Sequence, residues 1–205
     1  AEKEELSLLG ALGIISENYV ASSDAIERDE FSCLASKFVD LKEKAQANTV
    51  FTDVSASNEY SGYIAHLANV GYINGVGDGS YLPDNPMVMA GAAKIIIKAL
   101  GYDSFADYMG GYSGGYIGLA EDLGLLKNVT WDNDGNITKI GACYLLYNAL
   151  TSTMSAPQYI YENGKLSAVF GKGEKRTYLS DVLGVNVYNG VITETNIKNY
   201  MVTFT

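Results

Sequence analysis

Residues that could perform acid–base or nucleophilic chemistry are scattered along this chain. His66 is the one histidine of the 205-residue sequence, and it lies in an apolar helical segment beside Ile64 and Leu67. No serine, cysteine or carboxylate has a spacing that would build a catalytic triad around it. The cysteines, Cys33 and Cys143, also lie in apolar helical segments without the spacing of a metal or redox site. Buried thiols are therefore the favoured interpretation.

The acidic and glycine-rich loops do not match the ion or nucleotide motifs that they suggest. Residues 132–136 have the composition of a calcium loop, but an EF-hand would need an acid at Thr130 and a glutamate at Gly141. Residues 75–79 follow a helix rather than a strand, and their glycine spacing differs from the dinucleotide fingerprint. The 24 acidic residues offer no pattern that selects a glycosidase pair. We therefore expect neither an enzyme nor a bound metal or cofactor.

The composition predicts a folded, acidic protein. Hydrophobic residues make up 47% of the chain and charged residues 19%, so it can bury a core. The formal net charge of −10 disfavours nucleic acid and anionic membranes as partners, because both attract clustered lysine and arginine. No apolar run approaches the roughly 20 residues of a membrane helix, so no membrane insertion is expected. The polar start shows no signal peptide, as is also true of a mature secreted chain.

An apolar helix, a glycine-ended turn, a polar loop and a second apolar helix recur three times. The turns contain Gly13, Gly71 and Gly124, and the three second helices align without gaps. Four aligned sets of positions are all apolar: Leu34, Ile95 and Leu145; Ala35, Ile96 and Leu146; Phe38, Ala99 and Ala149; Val39, Leu100 and Leu150. Because no unit can bury such a face alone, the units are predicted to stack, with grooves between them that suit a scaffold or binding module.

Apolar periodicity gives the predicted elements and domains. The first helices are predicted at 2–12, 60–70 and 116–123, and the second helices at 27–44, 87–100 and 138–151. The fold class is therefore mainly α. Residues 1–153 are predicted to form one domain of three repeats, at about 1–48, 49–102 and 103–153.

A change of composition after Met154 predicts a small β-rich C-terminal segment, 154–205, or the start of a further domain. The predicted elements are a hairpin of 159–161 and 166–170 around Asn163-Gly164, a short helix at 177–183, a second hairpin of 185–188 and 191–193, and a strand at 201–204. If these strands lack partners within the chain, an exposed edge is expected to pair with another copy.

Residues 51–102 resemble the S-layer homology repeat. Members of that family carry F-x-D-V, then a helix ending in L-x-x-x-G-[I/Y]-[I/V]-x-G, a G-x-x-D-G-[T/S]-[F/Y]-x-P loop and an I-T-R-A-E helix start. The string FTDV…YIAHLANVGYINGVGDGSYLPDNP…AAKIIIKALGY matches the first three motifs. Residues 26–30 (Ile-Glu-Arg-Asp-Glu) match the fourth motif best. Residues 105–107 and 137–141 give weaker matches in the third repeat.

The resemblance implies a pseudo-threefold helical domain on the bacterial surface. Such domains hold secreted proteins non-covalently to a pyruvylated secondary cell-wall polymer, in grooves between adjacent repeats. The arginine of the fourth motif would meet the acidic sugar, helped by the aspartate-containing start of a repeat. In this chain the arginine position holds Arg28, Met89 and Lys139, and the glutamate position holds Glu30, Gly91 and Gly141.

The candidate ligand-binding residues implied by the resemblance are Arg28, Glu30, Asp53, Tyr81, Asp107, Trp131 and Lys139. Each also has a structural alternative. The two cations could be solvated or paired, and a lysine cannot fork onto a carboxylate as arginine does. The aspartates could cap the following turns instead of touching ligand. The aromatic rings could fix their loops on the helices instead of stacking on sugar.

Two hypotheses of different class follow. The first is an extracellular module that anchors a secreted bacterial protein to cell-wall polysaccharide without catalysis. The second is a degenerate repeat domain that has lost sugar binding and is a structural part of a larger surface protein. An enzyme would require a further domain beyond Thr205.

Overall fold

Seven α-helices are the regular structure of the described residues up to residue 151. The computed structural model describes residues 2–162, 164–185, 192–196 and 201–204. The helices are α1 (Glu2–Ala11), α2 (Arg28–Asp40), α3 (Ser61–Asn69), α4 (Met89–Ala99), α5 (Asp103–Tyr108), α6 (Gly114–Asp122) and α7 (Lys139–Thr151). The strands β1 (Thr153–Glu162) and β2 (Lys165–Thr177), a π-helix (Tyr178–Val182), and the strands β3 (Ile192–Asn196) and β4 (Met201–Phe204) follow. The prediction of a mainly helical fold is confirmed. None of the described helices is both long and apolar enough to cross a membrane.

The helices α1, α3 and α6 end in the same way. Gly13, Gly71 and Gly124, which follow them, have φ values of +72°, +77° and +72°. The residue after each glycine donates its N–H to the carbonyl five positions earlier, over 2.8–2.9 Å. This is the bond pattern of a glycine-terminated helix, and a side chain at the glycine would strain the backbone. The turn therefore directs each following loop away from its helix at a defined angle.

Three helices, α2, α4 and α7, form the centre of the fold. Each packs against the other two, while α3 packs on α2, α6 on α4 and α1 on α7. Eleven of the twelve aligned apolar positions are buried, and Val39 is partly buried. Ala35, Ile96 and Leu146 are completely shielded from solvent. The aligned apolar faces therefore meet one another in a shared core, because none has enough apolar surface on its own helix pair.

A closed cycle of backbone hydrogen bonds joins the segments that lead into these three helices. Ile26 donates its N–H to the Ile137 carbonyl (3.0 Å), Ile137 donates to Met87 (2.9 Å), and Met87 donates to Ile26 (2.8 Å). Each residue precedes the first residue of its helix by two positions, and each side chain is at most 1% exposed. Buried backbone groups must find partners, and here each segment satisfies the next. The three helix starts are thereby fixed relative to one another.

Two elements differ from the sequence-based boundaries. Helix α2 ends at Asp40 rather than near residue 44, because Leu41 adopts a left-handed conformation (φ +54°). The chain then crosses α3 so closely that a Cβ at Gly62 would lie 2.0 Å from the Ala45 carbonyl oxygen. The segment 103–108, expected only as a motif echoing residues 51–54, forms the additional helix α5.

The described C-terminal residues contain two antiparallel strand pairs. In the first, β1 pairs with β2 from Ser155↔Lys172 to Glu162↔Lys165, so a two-residue connection joins them. Gly164 in that connection has φ +75°, and Asn163 lies outside the described residues. In the second, β3 pairs with β4. The predicted hairpin of 185–188 and 191–193 lies largely outside the described residues.

The π-helix fastens this C-terminal region to the helical core. The Tyr178 ring stacks on Phe38 with centroids 4.2 Å apart, and its hydroxyl donates to the Val39 carbonyl over 2.9 Å. Tyr178 and Leu179 are each 3% exposed and belong to the same core as α2, α4 and α7. Residues assigned from the sequence to a separate segment thus complete the core of the helical one.

We expect Tyr178→Ala to reduce the free energy of unfolding by about 3–5 kcal/mol, because it removes a buried, stacked ring. Tyr178→Phe keeps the ring and loses one hydrogen bond, which costs about 1 kcal/mol. The control is Tyr108→Ala, at a tyrosine that is 87% exposed, with an expected change within about 0.5 kcal/mol. Urea denaturation followed by circular dichroism measures all three. If Tyr178→Ala were as mild as the control, the π-helix would not contribute to the core.

Candidate functional site

A cleft of about 310 Å³ opens between the start of α2, the loop after α3 and the first turns of α4. We call it the Arg28 groove. Its polar lining residues are Arg28, Asn74, Lys94, Tyr72, Tyr81 and Tyr112. Arg28 comes from α2 and Lys94 from α4, so two cations from different helices face one cleft.

Arg28 is held by its backbone and by one edge of its guanidinium. Its N–H donates to the Asn85 carbonyl over 2.9 Å, and its Nε donates to the Tyr81 carbonyl over 2.9 Å. The guanidinium carbon lies 4.5 Å from the centroid of the Tyr81 ring, a cation–π contact. Among the side chains that the structure describes, no carboxylate lies within 4 Å of Arg28 or Lys94. The two terminal nitrogens of Arg28 can therefore fork onto the carboxylate of a ligand.

The buried ring of Tyr81 packs against the Arg28 guanidinium. The Tyr81 side chain is 1% exposed, its ring stacks on Phe51 at 5.1 Å, and its hydroxyl bonds with Ser32. Burial raises the pKa of the Tyr81 hydroxyl above its usual value. These contacts anchor the Tyr81 loop to the helices. Tyr81 would therefore affect a ligand by positioning Arg28.

The Asp53 carboxylate binds the backbone of the loop that contains Tyr81, 28 residues later in the sequence. It accepts the backbone N–H groups of Tyr81 and Leu82, each over 2.7 Å. Burial pushes the pKa of Asp53 upward, but these two hydrogen bonds outweigh it and hold the pKa below its usual value. Asp107, at the aligned position, lies in α5 and accepts a hydrogen bond from the Tyr116 hydroxyl over 3.0 Å. The two aspartates therefore have different structural partners.

Glu30 lines a different cleft and pairs there with Lys139. This Glu30 groove, about 300 Å³, is lined by Tyr19, Glu30, Cys33, Lys37, Glu59, Tyr60 and Tyr63 among others. Lys139 Nζ lies 2.8 Å from Glu30 Oε2, and the two side chains are 30% and 14% exposed. Burial, together with the Glu30 carboxylate, raises the pKa of Tyr19 well above its usual range. Glu30 thus neutralises Lys139 and does not share a groove with Arg28.

Trp131 lies in a third cleft, the Trp131 groove, of about 420 Å³. Met89, Ile117 and Leu126 also line it. Trp131 is 50% exposed, whereas Met89 is 5% exposed. This groove therefore offers an accessible aromatic ring where the Arg28 groove offers a cation.

Sequence reasoning did not identify Lys94 and Tyr112. Lys94 Nζ lies 5.6 Å from the Tyr112 ring centroid and 5.9 Å from that of Tyr116. The available signal was a lysine three residues after Gly91, in a helical segment that is apolar apart from this residue and Lys98. Tyr112 comes from the glycine-rich segment before α6, which matches no motif, so only the fold brings it to the groove.

We expect Asp53→Asn to lower the free energy of unfolding by about 1–2 kcal/mol at pH 7, because an amide retains only one acceptor oxygen and no charge. Asp107→Asn is the matched control, since its amide oxygen can still accept the Tyr116 hydroxyl. A carboxylate with a depressed pKa stabilises the fold above its unfolded pKa of about 3.9 and loses that effect as the pH falls through its folded pKa. The difference between wild type and Asp53→Asn should therefore shrink below about pH 4. A difference that stays constant down to pH 2.5 in thermal melts would exclude this charge-assisted role.

Comparison with known proteins shows which family one segment of this chain is similar to. The profile of the S-layer homology domain matches residues 50–87, the part that carries Asp53, Tyr81 and the turn at Gly71. The chain is 27% identical to the surface layer protein of Brevibacillus choshinensis over 158 residues, which cover 73% of this chain and 14% of that protein. It is 25% identical to the middle cell wall protein of Brevibacillus brevis over 150 residues, 72% of this chain and 14% of that protein.

A third relative is the cell surface protein of Thermoanaerobacter kivui, 30% identical over 129 residues, which cover 62% of this chain and 16% of that protein. The chain thus spans about a seventh of the length of these relatives. The resemblance drawn from the motifs is confirmed over residues 50–87. The chain therefore contains a segment that matches the S-layer homology domain, and it is located outside the cell, at the bacterial cell wall or surface layer.

Proposed function

We propose that residues 1–153 form three S-layer homology repeats arranged around a pseudo-threefold axis. The backbone cycle of Ile26, Met87 and Ile137 supports this arrangement, because each residue holds the same place before its helix. The packing is cyclic in the same sense, since each predicted first helix packs on the second helix of the preceding repeat. Residues 154–205 would then be a β-rich appendage that is fastened to the repeats through Tyr178.

The function proposed for this domain is non-catalytic anchoring of a larger surface protein to an anionic cell-wall polysaccharide, with a pyruvylated polymer as the ligand class. The single observation that carries it is the state of Arg28. Its guanidinium is oriented by Nε and by the Tyr81 ring, and no described carboxylate pairs with it. A pyruvate ketal presents a planar carboxylate, which is the partner that a guanidinium binds with two parallel hydrogen bonds.

Electrostatics restrict where such a ligand can bind. The chain carries a formal net charge of −10, so its long-range field opposes an anionic polymer. Binding must therefore rest on a local concentration of positive charge. The Arg28 groove provides it, since Arg28 and Lys94 both line the cleft. The neighbouring rings of Tyr72 and Tyr112 add apolar surface on which a sugar face can rest.

The other two grooves are poorer anion sites. In the Glu30 groove, Glu30 neutralises Lys139 at 2.8 Å. In the Trp131 groove, the aligned residue is Met89, which has no charge. We therefore expect one ligand per chain, bound in the Arg28 groove.

A purely structural role is the second candidate, and one observation favours it. Two of the three grooves lack an unpaired cation at the aligned position, as a domain that has lost sugar binding would. In that case the chain would contribute packing surface to a larger surface protein, and Arg28 would serve only to fasten the Tyr81 loop to α2.

The test is co-sedimentation of the purified chain with pyruvylated bacterial sacculi. Arg28→Ala should weaken binding roughly 10- to 100-fold, because a charge-assisted hydrogen bond is worth about 1.5–3 kcal/mol. Lys94→Ala should weaken it less, since lysine offers a point charge without the fork. The matched control is Lys139→Ala, at the aligned position, with little effect expected because Glu30 already neutralises that cation.

Two further measurements decide between the proposals. The wild-type chain should no longer co-sediment with sacculi from which the pyruvate ketal has been removed by mild acid. Circular dichroism should show that Arg28→Ala keeps the helical content, so that loss of binding is not loss of fold. Equal loss with Arg28→Ala and Lys139→Ala would contradict the assignment to the Arg28 groove. Failure of wild type to bind any sacculi would favour the structural role.

A further inference from the structure

The three residues at the aligned cation position have the same backbone environment. Arg28, Met89 and Lys139 each donate an N–H to a carbonyl in another helix-entry loop, those of Asn85, Gly135 and Asp24, over 2.8–2.9 Å. The backbone therefore holds Arg28, which lines its groove, and Lys139, which reaches Glu30, in the same way. Whatever makes the grooves different must come from the residues that face those side chains.

The residue that faces each cation also comes from an aligned position. Two places after Arg28 stands Glu30, which pairs with Lys139. Two places after Met89 stands Gly91, which lines the Arg28 groove. A carboxylate thus opposes Lys139, while a hydrogen atom stands at the aligned place opposite Arg28. The difference of one side chain accounts for one paired and one unpaired cation.

Space allows a side chain at one of the two aligned glycines and forbids it at the other. A Cβ at Gly91 would lie 3.2 Å from Met87 Sδ and 3.4 Å from Val88 Cγ2, contacts that a flexible methionine can relieve. A Cβ at Gly141 would lie 2.2 Å from the Thr130 carbonyl oxygen, which is backbone and cannot move away. Gly141 is therefore required by packing, whereas Gly91 leaves the Arg28 groove open without being required by its surroundings.

We propose that Glu30 is a specificity-determining residue that closes a second anion site by pairing with Lys139, and that Gly91 keeps the Arg28 groove open. The ligand class is the same carboxylate-bearing sugar, so this inference rests on the proposed function. The number of ligands per chain then depends on whether position 30 holds a carboxylate, and not on the number of cations.

The experiment is isothermal titration of the chain with a methyl hexoside that carries a cyclic pyruvate ketal. Wild type should bind one equivalent, and Glu30→Gly, which copies the residue at Gly91, should bind two. Adding Lys139→Met, which copies Met89, should return the stoichiometry to one. The reciprocal variant Gly91→Glu should weaken the Arg28 site roughly 10- to 100-fold, because the new carboxylate would pair with Arg28.

A second readout does not require the sugar. Limited acetylation with acetic anhydride, followed by peptide mass spectrometry, reports how far each lysine amine is covered. Acetylation of Lys139, relative to the exposed Lys127, should rise in Glu30→Gly because the carboxylate no longer covers the amine. Glu30→Gln keeps the shape of the side chain and the helix start, and it should give a smaller rise in the same direction. This variant serves if the glycine variant does not fold.

The outcomes separate the two proposals. A wild-type chain that binds no sugar would contradict the proposed function. The masking of Lys139 would then be judged by acetylation alone, where a rise supports it and an unchanged value overturns it. If wild type binds one equivalent but Glu30→Gly also binds one, with Lys139 acetylation unchanged, Glu30 does not close a site and the inference is wrong.

Discussion

The structure depends on one constraint, the closed cycle of hydrogen bonds between Ile26, Met87 and Ile137. Each of these groups is buried, so none can exchange its partner for water without a large desolvation penalty. A closed cycle also fixes three segments at once, because moving one segment breaks both the hydrogen bond that it donates and the one that it accepts. The helices α2, α4 and α7 start two residues later, and their mutual packing follows from where the cycle places them.

The same constraint explains why grooves arise where they do. Each helix start is held against another helix-entry loop, and from that position Arg28 and Met89 line clefts while Lys139 reaches Glu30. Arg28 and Lys139 occupy that position and differ in what opposes them, not in how the backbone holds them. The backbone geometry is thus common to the three helix starts, and the clefts differ in side chains such as Glu30, Lys94 and Trp131.

Periodicity and glycine placement predicted the helices well, because both report on local backbone and on burial of one face. The glycine turns at Gly13, Gly71 and Gly124 are local features of this kind. Features that depend on distant partners were not predictable. Asp53 bonds a loop 28 residues later, Glu30 pairs with a lysine more than 100 residues away, and Tyr178 joins the core from a segment that looked separate. Arg28 and Glu30 are also two residues apart in one motif, and the sequence does not show that their side chains line different grooves.

Under the proposed function, an acidic chain would bind an acidic polymer against the repulsion between their charges. The net charge of −10 would repel such a polymer. A cation that is already paired with a carboxylate of the chain would add little affinity for it, and a further carboxylate in a groove would lower that affinity. Placing Arg28 and Lys94 together in one cleft without an opposing carboxylate gives a local field that can overcome the global one. The pairing of Lys139 with Glu30 satisfies a partly buried cation from within the chain, and under the proposed function it would confine anion binding to one place. On this proposal, the number of binding sites is governed by which cations the fold leaves unpaired, so a count of motif arginines and lysines would overestimate it.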